Sequence, residues 1–146
     1  MIYIIPHLII KKNNEILLLK RAVNQRIWGD HWHCVTGTIE LGETPQQAIM
    51  REAKEEIVIE IIEPELVTTL SVDQHSILNP GERFSSLELF FLYHLQDNDI
   101  PMNVEPDKHS ALKWFKIDNL PQKMIPHVQL GINNFTSKKQ YSEHKL

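Results

Sequence analysis

Cysteine is almost missing from this chain. Cys34 stands alone among 146 residues, so no disulfide can form within it, and a reducing, cytoplasmic setting is expected. An excess of positive charge is missing too. Lys and Arg number 15 against 19 Asp and Glu, a net charge of -4, which argues against nucleic acid or an anionic membrane as a partner. There is no long apolar run. The isoleucine-rich start, residues 1–5, is too short to span a bilayer and lacks a basic leader and cleavage site, so no membrane association is expected. No Gly-x-Gly-x-x-Gly follows the first apolar segment and no Gly-x-x-x-x-Gly-Lys-Ser/Thr occurs anywhere, which argues against a Rossmann or P-loop nucleotide site. No repeat, low-complexity tract or linker divides the sequence, so residues 1–146 are expected to form a single domain.

What is present is an ordinary globular composition, 42% apolar and 23% charged, with enough length for a substantial core. Residues 2–10 and 16–19 read as a strand hairpin around a polar turn. Residues 32–36 read as extended, and the β-branched residues at 57–62 predict a further strand. Strands are also expected at 66–72, 86–95 (the most apolar and central one) and 112–116, with a loop over 73–85. A helix is predicted over 124–135, where Val128, Ile132 and Phe135 share a face, and the polar last dozen residues are expected to fray. This order predicts an α/β (α+β) sandwich around a mixed sheet.

The chemically informative stretch is 37–59. Thr44, Pro45 and Gln47 form a helix start with a capping box, and Ile49, Ala53 and Ile57 recur at four-residue spacing as a buried stripe. Beside that stripe Glu52, Glu55 and Glu56 stand at i, i+3 and i+4, so their carboxylates gather on one face. Like charges so placed repel one another unless a cation offsets them, and hard divalent ions such as Mg²⁺ or Mn²⁺ prefer such oxygen ligands. Three glutamates alone more often mark a solvated helix face.

The wider pattern decides the matter. Gly37, Glu43, Arg51, Glu52, Ala53, Glu55, Glu56 and Ile59 fall at the spacings of the Nudix box, Gly-x5-Glu-x7-Arg-Glu-U-x-Glu-Glu-x-Gly-U with U apolar. The chain therefore resembles the Nudix hydrolases, MutT-like pyrophosphohydrolases, and similarity continues through residues 18–21, 104–108, 112–115 and 120–121. The resemblance implies an α/β/α sandwich with a mixed β-sheet and hydrolysis of a nucleoside diphosphate linked to a group X. A nucleoside triphosphate, including oxidised forms, ranks first as the small-molecule substrate, and ADP-ribose or a nucleotide sugar second. A catalytically silent nucleotide sensor is the reading from another class, and the resemblance leaves a homodimer open. Glu52, Glu55 and Glu56 are implied as catalytic residues and ligands of Mg²⁺ or Mn²⁺. The carbonyl of Thr36 or Gly37 is implied as a further ligand, and Gly37, Glu43 and Arg51 as structural. A further carboxylate is expected from the 105–107 segment, with Asp107 favoured over Glu105.

Arg21 and Trp28 are candidates for contact with a substrate phosphate and base, although a surface arginine and a packed tryptophan are the ordinary readings. His31 and His33 lack a second ligand pair for zinc, and Cys34 reads as a small buried residue. Two positions depart from the family pattern. Val35 and Thr36 stand where many relatives carry Pro-Gly, and Val58 replaces the box's second glycine. A β-branched residue is strained at positive φ, so the helix is expected to end by another geometry.

Overall fold

The computed structural model describes residues 2–146. Strands β1 (Ile2–Lys12) and β2 (Glu15–Arg21) turn at Asn13, whose φ of 53° is one that asparagine tolerates. They pair only at Lys11↔Ile16 and Lys12↔Glu15 and then separate. One segment bridges the gap: β3 (Trp32–His33) pairs with β2 and β4 (Val35–Thr36) pairs with β1. On its other side β1 runs parallel to β6 (Arg83–His94), from Ile2↔Ser85 to Lys11↔His94. Strand β5 (Glu65–His75) is antiparallel to β6, and β7 (His109–Lys116) antiparallel to β2. The mixed, eight-stranded sheet has the order β3-β2-β1-β6-β5-β8, with β4 on β1 and β7 on β2, where β8 is Tyr141–Lys145.

Alternation along these strands sorts the apolar side chains onto two faces. Leu8, Ile10, Leu17, Leu19, Val35 and Phe91 pack against helix α1 (Pro45–Ile57). Ile9, Leu18, Cys34, Leu70, Val72 and Phe90 pack against α2 (Pro126–Thr136). The sandwich is thus helix, sheet, helix. The approach of α2 is close: a Cβ on Gly131 would stand 2.2 Å from the Phe90 ring.

Four local expectations need correction. Residues 58–62 form no strand, because α1 runs to Ile57 and the chain then continues irregularly, with Ile59 and Ile61 still buried. Val58 does adopt the left-handed cap (φ 63°, ψ 33°) that its side chain disfavours. Its N–H donates to Lys54 O at 3.2 Å and that of Ile59 to Ala53 O at 3.5 Å. Those cap bonds, with Ile57 and Ile59 buried on either side, outweigh a conformational cost of about 1–2 kcal/mol. The polar C-terminus does not fray. Its backbone pairs in parallel with β5, indifferent to side-chain polarity, and Asn134 Nδ2 donates to Ser142 Oγ at 2.7 Å and Thr68 Oγ1 at 3.3 Å. The 73–85 loop shortens, since β5 continues to His75 and β6 starts at Arg83.

Candidate active site

Helix α1 begins as its sequence dictates. The Thr44 hydroxyl accepts from Gln47 N–H at 3.1 Å, the Gln47 amide oxygen accepts from Thr44 N–H at 3.0 Å, and Pro45 holds the first turn. With Ala48, Ile49, Ala53 and Ile57 buried, the helix is fixed in rotation, and Arg51, Glu52, Glu55 and Glu56 face the 37–43 loop and the segment near Glu105.

Arg51 is the hub of that face. Its Nε and Nη2 donate to the two oxygens of Glu43 at 2.8 and 3.0 Å, a bidentate pair. Nη2 also donates to Thr38 O at 2.9 Å, while Nη1 reaches Glu52 Oε1 at 2.8 Å and Glu55 Oε2 at 3.3 Å. Glu43 accepts further from Glu40 N–H at 2.9 Å. The guanidinium therefore ties loop to helix and holds the Glu43 carboxyl below its usual range. Gly37 lies directly against Glu52. A Cβ there would sit 2.1 Å from Glu52 Cδ, so no larger residue fits without moving that carboxylate.

The glutamates have different environments. Glu55 is exposed. Glu52 is half-buried, and burial raises its pKa despite the Arg51 hydrogen bond. Glu56 is only 8% exposed, and its Oε2 has no hydrogen-bond partner among the described residues. Burial, then the charges of Glu52 and Glu105, push Glu56 up to about 9. A buried, unpartnered carboxylate oxygen crowded by two further carboxylates is what a hard divalent cation relieves, so the donor set fits such an ion.

Of the two acids in the 105–107 segment, Glu105 is the half-buried one. Its charge acts on both Glu52 and Glu56, and its segment docks on the C-terminal end of α1 through Met102 N–H to Ile57 O at 3.0 Å. Asp107, the residue favoured from sequence, is exposed.

A cavity of about 470 Å³ opens between α2 and the sheet. Arg21, Trp28 and Thr36 line it. Arg21 is half-buried, with Nε donating to Ile27 O at 2.7 Å, and its charge and that of Glu56 act on each other. Trp28 is half-buried and edge-on to His31 at 5.2 Å. Thr36 Oγ1 donates to Pro6 O at 2.8 Å, fixing the end of β4 just before Gly37.

The floor of the cavity escaped the sequence reading. Beneath α2 the inward faces of the strands are apolar at Ile9, Phe90 and Val72, then turn polar one register further on at His7, Glu88 and Gln74. His7 Nε2 lies 2.7 Å from Glu88 Oε2, and Ser86 Oγ donates to Glu88 Oε1 at 2.8 Å. Burial would raise the Glu88 pKa, but those hydrogen bonds and the neighbouring imidazoles hold it below its usual value. His127, on the first turn of α2, is lowered to about 4 by burial. His7, Glu88 and His127 offer ligand atoms within 4.8 Å of one another, a group of metal-binding type. The available signal was a carboxylate in the middle of the most apolar strand.

A family profile described as NUDIX domain matches residues 5–132. The dihydroneopterin triphosphate diphosphatase of Escherichia coli K12 is 42% identical over 52 residues, 36% of this chain and 32% of that protein. The 8-oxo-dGTP diphosphatase of Proteus vulgaris is 32% identical over 72 residues, 49% of this chain and 63% of that protein. These matches thus span less than two thirds of either relative. Among solved structures, a MutT NUDIX hydrolase from Burkholderia pseudomallei superimposes with a TM-score of 0.76 at 26% identity, covering 91% of this chain and 97% of the other. The E. coli dihydroneopterin triphosphate pyrophosphohydrolase gives 0.68 at 25%, covering 92% and 97%.

Proposed function

The chain belongs to the NUDIX family, and from that premise we propose that it is a divalent-metal-dependent pyrophosphohydrolase that converts a nucleoside-type triphosphate to the monophosphate and pyrophosphate. The observation that carries the reading is Glu56: buried, with an unpartnered oxygen, and pressed by Glu52 and Glu105. Glu52, Glu55 and Glu56 would hold Mg²⁺ or Mn²⁺, with Glu105 nearby and the main-chain carbonyl of Thr36 or Gly37 as a further ligand. When bound, such an ion neutralises phosphate charge and lowers the pKa of a coordinated water.

The chain's own residues do the rest. Arg51, fixed by Glu43 and Thr38 O, holds Glu52 in place without touching substrate. Glu56 Oε2, buried and without a partner among the described residues, would take a proton from the attacking water once a bound cation offsets the Glu52 and Glu105 charges and leaves it ionised. Arg21, on the cavity wall and within electrostatic reach of Glu56, binds a substrate phosphate. Trp28 and Phe84 flank the cavity as aromatic surfaces for a base, and about 470 Å³ lies within the range of small-molecule pockets. Two relatives are named for triphosphates, dihydroneopterin triphosphate and 8-oxo-dGTP, which supports a triphosphate over a nucleotide sugar.

The test is nucleoside monophosphate formation, read by chromatography, across a panel of triphosphates, ADP-ribose and nucleotide sugars with Mg²⁺ or Mn²⁺, comparing wild type with Glu56→Gln. Turnover of a triphosphate by wild type, cut at least 100-fold in the variant, is expected. Equal rates for the two proteins, or turnover of ADP-ribose alone, would overturn the reading.

A further inference from the structure

We propose that His7, Glu88 and His127 bind a borderline transition-metal cation of the Zn²⁺ class, at a site separate from the α1 carboxylates. The three side chains arrive from three elements: β1, β6 and the first turn of α2. Their ligand atoms lie within 4.8 Å of one another. The Nδ1 atoms of His7 and His127 are buried and have no hydrogen-bond partner among the described residues. Two imidazoles and one carboxylate form a set that suits zinc and its neighbours, whereas magnesium and calcium favour oxygen alone.

The surroundings of these residues are those of supported ligands. Ser86 Oγ fixes one Glu88 oxygen at 2.8 Å, and Phe90 stacks on the His7 ring with centroids 4.5 Å apart and planes 11° from parallel. Three protein ligands in a tetrahedral arrangement leave one position open, and all three residues line the cavity. Direct reading of a base by Glu88 is the competing use, but its side chain is 0% exposed and that of His7 only 2%. A planar ring does not reach them there. An ion seated among the three does.

Neighbouring ligands in a tetrahedral zinc site stand about 3.3 Å apart. The 2.7 Å contact between His7 and Glu88 would lose its bridging proton and widen slightly, while His127 turns inward from the helix start.

Metal-stripped protein in excess Mg²⁺, added to compete for the α1 carboxylates, is titrated with Zn²⁺ by calorimetry and with Co²⁺ by visible absorption. One ion per chain is expected, with a tetrahedral Co²⁺ band. His127→Ala should weaken uptake roughly tenfold or more, and Glu56→Gln should leave it unchanged. Histidine-labelled wild-type protein, observed by NMR during Zn²⁺ addition, should shift the His7 and His127 imidazole signals whether or not the variants fold. No uptake above Mg²⁺ competition, uptake abolished by Glu56→Gln but not by His127→Ala, or shifts confined to other histidines would overturn the proposal. No substrate is present, so this outcome is independent of the hydrolysis test.

Discussion

Replacing Gly37 by Ala isolates the positioning of Glu52 from its chemistry, because the carboxylate itself stays. A Cβ at residue 37 would approach Glu52 Cδ to 2.1 Å, Oε1 to 2.3 Å and Cγ to 2.4 Å, so the whole end of the side chain must leave. Leaving breaks the 2.8 Å hydrogen bond from Arg51 Nη1 and forces another rotamer. Glu52 is half-buried, so solvent compensates part of that loss, and the stability cost is about 1 kcal/mol. For a chain of this length, that is a fall in Tm of about 3 °C. The catalytic cost is far larger, since displacing a reacting constellation by an ångström costs about 100-fold in rate. Pyrophosphate release and thermal unfolding on the same preparation test both numbers. A kcat within twofold of wild type would refute the idea that Gly37 exists to admit Glu52. A Tm loss above about 10 °C would show that the substitution acts on the fold instead.

The raised Glu56 predicts a pH dependence for the metal-free protein. Its folded pKa of about 9 exceeds the ordinary glutamate value of 4.5, so the folded state binds the extra proton between those limits. Stability is then full below about pH 4.5 and falls as pH rises toward 9, by up to about 1.4 kcal/mol per unit. Urea unfolding in EDTA should show that slope, and Glu56→Gln or saturating Mg²⁺ should flatten it; a slope unaffected by Glu56→Gln would contradict the assignment. Val58→Gly removes left-handed strain of about 1–2 kcal/mol and adds unfolded-state freedom of about 0.5–1, so a net gain near 1 kcal/mol is expected by calorimetry, and a lower Tm would count against it. Asn134→Ala strips partners from Ser142 and Thr68 at a cost of about 1–3 kcal/mol, and amide exchange should show 141–145 opening first.

Much of this was legible because it is local. The capping box, the apolar stripe and the Arg51–Glu43 pair lie within one helix and its preceding loop, where spacing maps onto direction. The buried strands were legible because β1, β2 and β6 are apolar on both faces and sit under a helix on each side. What failed depends on distant partners. Polar residues 141–145 become a strand only because β5 offers a free edge 72 residues earlier in the chain, and no side-chain pattern announces that. Val58 takes a conformation its type disfavours because Ile57 and Ile59 are both anchored. The segment of Glu105 and Asp107 docks on the end of α1 through Met102, a tertiary contact that spacing alone does not announce.

The bridging segment from Trp32 to Gly37 explains how two unlike chemistries share one sheet. Its strands close the gap that opens when β1 and β2 diverge, so the segment is held from both sides while its side chains alternate. Cys34 enters the core beneath α2 and Val35 the core beneath α1. His33 and Thr36 line the cavity, and the next residue, Gly37, receives Glu52. One short extended stretch therefore sets the distance between the α1 carboxylates and the cavity, with no hinge between them. Relocating the Trp32 end requires breaking pairs to β2, and relocating the Thr36 end requires breaking pairs to β1. That rigidity is the reason to expect that substitutions at Thr36, whose hydroxyl ties β4 to Pro6 O, will change kcat and KM together.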